Sequence, residues 1–369
     1  MEHAFEKIAI IGVGLIGGSL GMATIGRDLA KTVVGVDNNI DALIMAKDTK
    51  AIHEGTTLIS EGVKDADLVI IATPVGLTID LLNKCIPYLK KGCIITDVGS
   101  TKENIVNKAE EILLGQELYF VGGHPMAGSE KAGIMGADRY LFENAVYILT
   151  PTKNTNCLAV EKFSKYIQGL GARVISLDPG EHDLMVGAVS HLPHIIASAL
   201  VNTAGNINKQ YDKTLMLAAG GFRDTTRIAA GHPVMWRDIC IANRNKIIIA
   251  IQEFRQALDE LENQIIQGNA DSLQKQFEDA KEIRLSIPAK MKGYLPSLHE
   301  IVVTVPDEPG IIANIASILG EKQINITDIE ILRVREGEGG TIRLGFAEEN
   351  QAEEAVKVLL DKEIIAKRR

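Results

Sequence analysis

The most informative stretch of the chain is the segment 124–130, which reads HPMAGSE and begins with a histidine. It follows a short apolar run, residues 118–121, and two glycines. A strand that ends at these glycines would place the His124 imidazole at the carboxyl edge of a sheet, where open α/β folds hold their ligands. Pro125 would stop the strand, and a loop with Gly128 suits a polar ligand. The segment therefore predicts a reactive imidazole beside a ligand, with a structural turn as the alternative.

A second motif near the start of the chain fits the pattern G-x-G-x-x-G and directly follows an apolar run typical of a buried parallel strand. In this pattern Gly12 allows a tight turn, Gly14 lets the backbone approach a pyrophosphate, and Gly17 lets a helix pack closely on the sheet. Backbone N–H groups at the start of that helix would face the phosphate charge. The positions predicted to hold a nucleotide here are Gly12, Val13, Gly14, Leu15, Ile16 and Gly17.

The choice of nucleotide depends on Asp37, which ends the next strand-like run at residues 32–36. An acid at this position accepts hydrogen bonds from the ribose hydroxyls and repels a 2′-phosphate, so we predict NAD rather than NADP. The alternative is a glycine-rich helix entry that holds no ligand. Thr73 and Pro74 follow another apolar run, residues 67–72, and we expect their loop to pass over the cofactor.

Strand-like runs alternate with helical periods over residues 1–178, which indicates a Rossmann-type dinucleotide-binding domain. One of these runs, residues 93–97, is followed by Ser100. The Ser100 hydroxyl could cap the helix that begins near Thr101. Alternatively, at the edge of a nicotinamide site it could contact a substrate or orient His124.

Beyond this domain the strand-like runs give way to long helical periods, which predict an all-α region over residues 179–293. The motif SHLPH at 190–194 would break or begin a helix at its proline and free polar groups to face a ligand; the alternative is a polar helix face at a kink. Arg223 and Arg227 are four residues apart, so on a helix they would share one face and suit a carboxylate. A local salt bridge is the alternative for this pair. The single tryptophan, Trp236, is either a core residue or the wall of a substrate pocket.

The last part of the chain, residues 298–369, shows the order strand, helix, strand, strand, helix. This βαββα order predicts a small α+β domain. A linker with prolines and a glycine separates it from the helical region. Its first turn, DEPG, ends at Gly310, and Asn325 lies on the approach to the second strand.

Composition excludes several classes of function. The 369 residues carry a formal net charge of −9, which argues against nucleic-acid and anionic-membrane partners. We expect no membrane helix, because the apolar runs fall short of about 20 residues, and no signal peptide. The four cysteines form no CxxC pair, so we predict no metal site and a reducing, cytoplasmic setting.

Taken in order, these motifs resemble the prephenate dehydrogenase family of tyrosine biosynthesis, and the tail resembles an ACT domain. The blocks HPMAGSE, SHLPH, GGFRDTTRIA and MWRD are specific in combination, and the resemblance covers essentially the whole chain. It implies an α/β fold with a Rossmann-type dinucleotide-binding domain, an all-α dimerisation domain and a C-terminal βαββα ACT-like domain. It also implies a homodimer.

The resemblance further implies a reaction in which prephenate and NAD give 4-hydroxyphenylpyruvate, CO2 and NADH. His124 would accept the proton of the ring hydroxyl as hydride leaves, Ser100 would hold the imidazole and the hydroxyl in line, and Arg227 would anchor a substrate carboxylate. Loss of the hydride gives a dienone that becomes aromatic by expelling the ring carboxylate. The other residues predicted to line the substrate pocket are His194, Ser129, Glu130, Ser190, Arg223 and Trp236.

By the same resemblance, L-tyrosine is the expected feedback inhibitor, and Gly310 and Asn325 are the positions expected to serve its binding. Three alternatives to this function stay open. Arogenate dehydrogenase acts on a substrate that differs only by an amino group in place of the side-chain keto group. A non-catalytic dimer that senses NAD and an amino acid would use the pocket for binding only. The third is a dehydrogenase of 2-hydroxy or β-hydroxy acids.

Overall fold

The computed structural model describes residues 3–128, 133–287, 299–306, 308–332 and 340–368. It contains two compact units, residues 1–291 and 292–369. The predicted site residues Ser129 and Glu130 lie outside the described residues.

The first unit is built on a six-stranded parallel sheet. Its elements are β1 (Phe5–Ile11), α1 (Leu15–Gly26), β2 (Ala30–Val36), α2 (Ile40–Asp48), β3 (Glu54–Thr56), α3 (Ile59–Gly62), β4 (Leu68–Ile71), α4 (Thr78–Cys85), β5 (Ile94–Asp97), α5 (Glu103–Leu113) and β6 (Tyr119–Phe120). The strand order is β3-β2-β1-β4-β5-β6. Because this order reverses between β1 and β4, a crevice opens at their carboxyl ends, where such folds bind dinucleotides. The predicted Rossmann-type fold is confirmed.

A second, three-stranded sheet follows. Its elements are β7 (Gly122–Pro125), β8 (Val146–Thr150), α6 (Cys157–Gly169) and β9 (Arg173–Ser176), in the order β7-β8-β9. The prediction that the strand before His124 ends at two glycines is wrong, because His124 lies inside β7 and pairs with Ile148. The glycines let the chain cross between the sheets: a Cβ on Gly122 would lie 2.3 Å from the Thr150 hydroxyl oxygen.

Two glycines of the loop between β1 and α1 are required by the fold itself. Gly12 has φ +93°, a left-handed conformation that favours glycine. A Cβ on Gly17 would lie 1.9 Å from the Gly12 carbonyl oxygen, so only glycine lets α1 pack this closely on the loop. Gly14 differs, since a Cβ there would meet no protein atom within 4 Å. The fold therefore requires glycine at positions 12 and 17, whereas Gly14 borders open space.

The rest of the first unit is helical, as predicted. Its elements are α7 (Pro179–Val186), a π-helical turn (Gly187–His191), α8 (Leu192–Asn208), α9 (Gly220–Thr226), α10 (Pro233–Ala242), α11 (Arg244–Gln267) and α12 (Ala270–Ser286). The motif SHLPH does not break the helix. Instead, α7, the π turn and α8 run on continuously, and Pro193 lies in the first turn of α8. A π turn directly precedes this proline, and Leu192, the residue before it, still donates its N–H to the Gly187 carbonyl.

This continuous helix, residues 179–208, is long and apolar enough to cross a membrane by length and composition alone. The expectation that the chain has no such segment is therefore corrected. Its buried side carries polar groups that pack inside the protein, namely His182, Asp183, His191 and His194. Buried polar groups of this kind are typical of a core helix, and one such helix is weak support for a membrane protein.

The second unit is a four-stranded antiparallel sheet with two helices. Its elements are β10 (His299–Val305), α13 (Ile311–Glu321), β11 (Asp328–Leu332), β12 (Gly340–Phe346), α14 (Glu349–Leu360) and β13 (Ile365–Arg368), with the strand order β11-β12-β10-β13. The predicted βαββα order lacks β13, a short charged strand that pairs with β10. Asn325 lies before β11, on the approach to the second strand.

We expect Gly17→Ala to lower the free energy of unfolding by about 2–3 kcal/mol, because the new methyl group overlaps a backbone oxygen that cannot move away cheaply. Urea denaturation of the purified chain measures this. Gly14→Ala is the matched control, for which we expect a loss below about 1 kcal/mol, since its Cβ enters open space. Equal losses in the two variants would contradict this account of the loop.

Candidate active site

Three loops meet at the carboxyl edge of the parallel sheet. Gly12 follows β1, Thr73 follows β4, and residues 98–100 follow β5. A Cβ on Gly12 would lie 2.9 Å from Thr73 Cγ2, and one on Gly99 would lie 3.4 Å from Val75 Cγ2, so the three loops lie side by side. Together they form the floor of the crevice.

The geometry of this crevice fits a dinucleotide. At its edge Asp37 accepts the Val13 N–H through Oδ2 at 3.0 Å and the Asn39 N–H through Oδ1 at 2.9 Å, which fixes its carboxylate beside the glycine loop. Gly14 borders open space at the start of α1, where backbone N–H groups favour a phosphate. The buried Thr73 hydroxyl has no partner among the described residues, so it is available to a ligand. Pro74 is exposed beside it.

The His124 imidazole is held through one ring nitrogen. Its Nδ1 lies 2.8 Å from Nε2 of His182, and the two rings meet edge to face at an angle of 74°. Burial lowers the pKa of His124 well below the ordinary value, and the charge of Lys102 acts in the same direction. His124 is therefore neutral at physiological pH and able to accept a proton.

Asp183 lies behind His182 and is almost fully buried. Its Oδ1 accepts the Lys102 N–H at 2.7 Å and its Oδ2 accepts the Glu103 N–H at 2.9 Å. The same Oδ1 lies 2.8 Å from Nδ1 of His182. The start of α5 is thus capped from another helix, and the alternative in which Ser100 caps it is wrong. Ser100 is half-buried after β5, and its role toward His124 or a substrate stays a prediction.

A fully buried ion pair supports the loop that carries Ser100. The Lys102 ammonium donates to Asp97 Oδ2, which also accepts the Gly99 N–H at 2.9 Å. Burial lowers the pKa of Lys102, while the neighbouring Asp97 acts in the opposite direction. A buried pair of this kind fixes geometry because either charge alone would be costly in the interior.

The His194 ring packs against the single tryptophan, Trp236. Their rings stack with centroids 3.6 Å apart and an angle of 9° between the planes. The His194 ring donates to the Ile228 carbonyl, and burial lowers its pKa. Its Nδ1 is buried without a partner among the described residues. This unpartnered nitrogen is able to bind a ligand. The role of Trp236 as a wall of the substrate pocket stays a prediction.

The two arginines lie on the chain segment that leads to this ring stack. Arg223 lies in α9, and Arg227 begins the short 3-10 turn that follows it. Both side chains are exposed in the single chain. Ser190 is half-buried in the π turn. The contact between Ile228 and His194 brings the Arg227 segment to the site, whereas the substrate roles of Arg223, Arg227 and Ser190 stay predictions.

Several residues that organise the site were not found from the sequence. Besides His182, Asp183, Lys102 and Asp97, Asn243 belongs to this group: its Nδ2 donates to the Asp183 carbonyl at 2.7 Å and lies 3.1 Å from Nδ1 of His191. Burial lowers the pKa of His191 to about 4. The available signal was the adjacent pair His182-Asp183 in a helix of high mean hydropathy. In the part of the chain that the structure describes, no cluster of His, Cys, Asp and Glu is placed to hold a metal ion.

We expect Asp183→Ala to lower the free energy of unfolding by about 3 kcal/mol, because it leaves two backbone N–H groups and a histidine without acceptors in the interior. Asp178→Ala is the matched control. Asp178 caps its own helix, α7, from an exposed position, so its loss is expected to cost about 1 kcal/mol. Urea denaturation of both variants compares the two costs. A loss for Asp183→Ala no larger than for Asp178→Ala would overturn the assigned role.

Comparison with known families covers most of the chain. Residues 21–176 match the nucleotide-binding domain of prephenate dehydrogenase, residues 178–279 match the dimerization domain of prephenate dehydrogenase, and residues 299–360 match the ACT domain. The chain is 38% identical to the prephenate dehydrogenase of Bacillus subtilis over 356 residues, which cover 96% of both proteins.

Two solved structures share the fold of the first unit. The prephenate dehydrogenase of Aquifex aeolicus, in complex with hydroxyphenyl propionate and NAD+, has a TM-score of 0.73 and 33% identity, and the match covers 77% of this chain and 98% of that one. The arogenate dehydrogenase of Synechocystis has a TM-score of 0.67 and 31% identity, with coverage of 76% and 100%. Together with the crevice and its histidine, these matches show that the chain belongs to the prephenate dehydrogenase family.

Proposed function

We propose that this protein is an NAD-dependent prephenate dehydrogenase of tyrosine biosynthesis. The observation that carries the proposal is the neutral His124 imidazole, held through Nδ1 in β7, where the preceding Gly123 lies against Asp97 at the end of β5. The overall reaction converts prephenate and NAD to 4-hydroxyphenylpyruvate, CO2 and NADH. The relatives in B. subtilis and A. aeolicus support this choice of activity.

The proposed cofactor is NAD. Its pyrophosphate would lie at Gly14 and the start of α1, where a Cβ would fill the space, and its ribose hydroxyls would donate to Asp37. The carboxylate of Asp37 would repel the additional phosphate of NADP. When bound, the nicotinamide ring accepts the hydride from the substrate carbon.

Within this scheme the chain's own groups move the proton and hold the substrate. His124 accepts the proton of the ring hydroxyl through Nε2 while the hydride leaves the ring carbon that bears this hydroxyl. The C–C bond to the ring carboxylate then breaks, its electrons restore the aromatic ring as a phenolate, and CO2 departs. The phenolate takes the proton back from His124. Ser100 holds the hydroxyl in line with the imidazole, and Arg227 binds a substrate carboxylate. The residues proposed to complete the pocket are His194, Ser129, Glu130, Ser190, Arg223 and Trp236.

Arogenate dehydrogenase is the second candidate, because the arogenate dehydrogenase of Synechocystis matches this chain nearly as well as the A. aeolicus enzyme. The two substrates share the ring, its hydroxyl and its carboxylate, so His124 would act in the same way on both. They differ only in the side chain, where prephenate carries a keto group and arogenate an amine. A non-catalytic sensor of NAD would leave the neutral, positioned imidazole of His124 without a use.

We expect His124→Asn to lower kcat by about 10²–10⁴-fold, because the variant lacks the proton acceptor, while its affinity for NAD stays nearly unchanged. NADH formation is measured with prephenate and with arogenate, each with NAD and NADP. Since protonation removes the base, kcat/KM of the wild type should fall at low pH. The lowered pKa of His124 places this fall below pH 6.5, the ordinary histidine value.

An unchanged kcat in His124→Asn would contradict the role of His124. Faster turnover of arogenate than of prephenate by the wild type would make arogenate the assigned substrate and leave the proposed mechanism unchanged. NAD binding without turnover of either substrate would favour the sensor.

The proposal extends to the assembly and setting of the protein. We propose three domains, residues 1–178, 179–293 and 298–369, with the second forming a homodimer, as its match to the dimerization domain supports. The four cysteines are free thiols, which supports a reducing, cytoplasmic setting.

L-tyrosine is the proposed feedback inhibitor, acting on the ACT domain. Gly310 has φ +94° at the start of α13, and Asn325 is exposed before β11, so both are accessible to a small ligand. We expect Asn325→Ala and a chain that ends at residue 287 to lose inhibition by tyrosine and to keep their kcat. The shortened chain is chosen because it ends directly after α12 and leaves out the ACT domain, residues 299–360. Inhibition that persists in the shortened chain would place tyrosine at the active site instead.

A further inference from the structure

We propose that His182 and Asp183 are positioning residues that fix the tautomer of His124, so that its proton lies on Nδ1 and its free electron pair on Nε2. This inference rests on the proposed function, in which His124 is the base. It concerns two residues behind the base, neither of which is predicted to touch the substrate.

The direction of the hydrogen bonds is set at Asp183. Its two oxygens accept the N–H groups of Lys102 and Glu103 at 2.7 and 2.9 Å, and backbone N–H groups are always donors. A carboxylate has no proton to give, so the 2.8 Å contact from Oδ1 to His182 requires a proton on Nδ1 of that ring.

In the neutral form of His182, the one ring proton is on Nδ1. Its Nε2 is therefore an acceptor. The 2.8 Å contact between this nitrogen and Nδ1 of His124 then requires the His124 proton to be on Nδ1. The consequence is that Nε2 of His124 carries the free electron pair. The hydrogen bonds thus fix the proton positions in order, from the start of α5 through Asp183 and His182 to Nε2 of His124.

Burial makes this order of protons rigid. The His182 side chain is fully buried and Asp183 is 2% exposed, so water does not compete for their hydrogen bonds. Both residues are consecutive on α7, and Asn243 holds that turn by donating to the Asp183 carbonyl. The ring of His182 therefore has one position and one available acceptor.

The arrangement also serves the charged state of the base. Once Nε2 of His124 has taken a proton, its Nδ1–H still donates to His182, and the chain of hydrogen bonds ends at the Asp183 carboxylate. A negative charge at that end stabilises the imidazolium, as in other histidines held by a carboxylate. The charged and titratable groups around this chain are Lys102 and Asp97 beside α5, His191 in the π turn, and His182 and Asp183 themselves.

Two substitutions at position 182 separate positioning from packing. His182→Asn keeps an amide N–H near Nδ1 for Asp183 but is too short to reach His124. His182→Gln extends its side-chain oxygen to about the position of Nε2 and restores an acceptor. We expect His182→Asn to lower kcat about 10²-fold with KM nearly unchanged, and His182→Gln to recover at least about tenfold of that loss. His53→Gln is the matched control: its ring accepts the Val33 N–H far from the site, and its kcat should stay unchanged.

The tautomer itself is read from the ¹⁵N chemical shifts of the eight histidines in the full-length wild type, with His124→Asn assigning the signal. We expect a protonated Nδ1 and an unprotonated Nε2 in His124. A proton on Nε2 of His124, or a kcat of His182→Asn within about twofold of the wild type, would overturn the proposal. Failure of the wild type to oxidise prephenate or arogenate would instead remove the proposed function, and the NMR result would still decide the tautomer.

Discussion

The carboxylate of Asp183 is the constraint on which the site depends. It extends from α7 and accepts the first N–H groups of α5, so one side chain joins the helical part of the first unit to its sheet part. A carboxylate in the interior loses its hydration and is stable only where its oxygens gain strong hydrogen bonds. Both oxygens of Asp183 accept such hydrogen bonds. Because the same carboxylate holds His182, any shift of α7 against α5 would displace that ring, and His124 with it.

Asn243 extends this constraint to the substrate side. It follows α10, and its amide joins the Asp183 carbonyl to the His191 ring in the π turn. The π turn widens the helix between the two histidine-bearing segments, as such turns often do at functional sites. It is followed directly by the turn that holds His194 against Trp236. His124 and the ring stack of His194 and Trp236 are therefore joined through one framework rather than carried on two independent loops.

Sequence patterns predicted the nucleotide-binding residues because the positions of these residues depend on segments next to them in the sequence. Gly12 and Asp37 each directly follow an apolar strand, and that order alone places them at the sheet edge. Asp183 could not be found in this way, because its partners lie 80 and 81 positions away and no local pattern records a buried cap. The sequence left open whether Pro193 breaks or begins a helix; the structure begins α8 there directly after a π turn, which no local pattern indicates. β7 was missed because four residues with two glycines carry no strand pattern.

Burial has two opposing effects on the His124 imidazole. By lowering the pKa, it keeps the imidazole neutral and ready to accept a proton, yet it also weakens the imidazole as a base. A base in water would resolve this by hydrating its charged form, which is not possible for a buried imidazole. A hydrogen bond through His182 to a buried carboxylate provides that stabilisation from within the protein. It acts only after the proton has moved, because the neutral base gains little from it. In the proposed reaction, His124 can therefore stay unprotonated at the start and still be stabilised once it carries the proton.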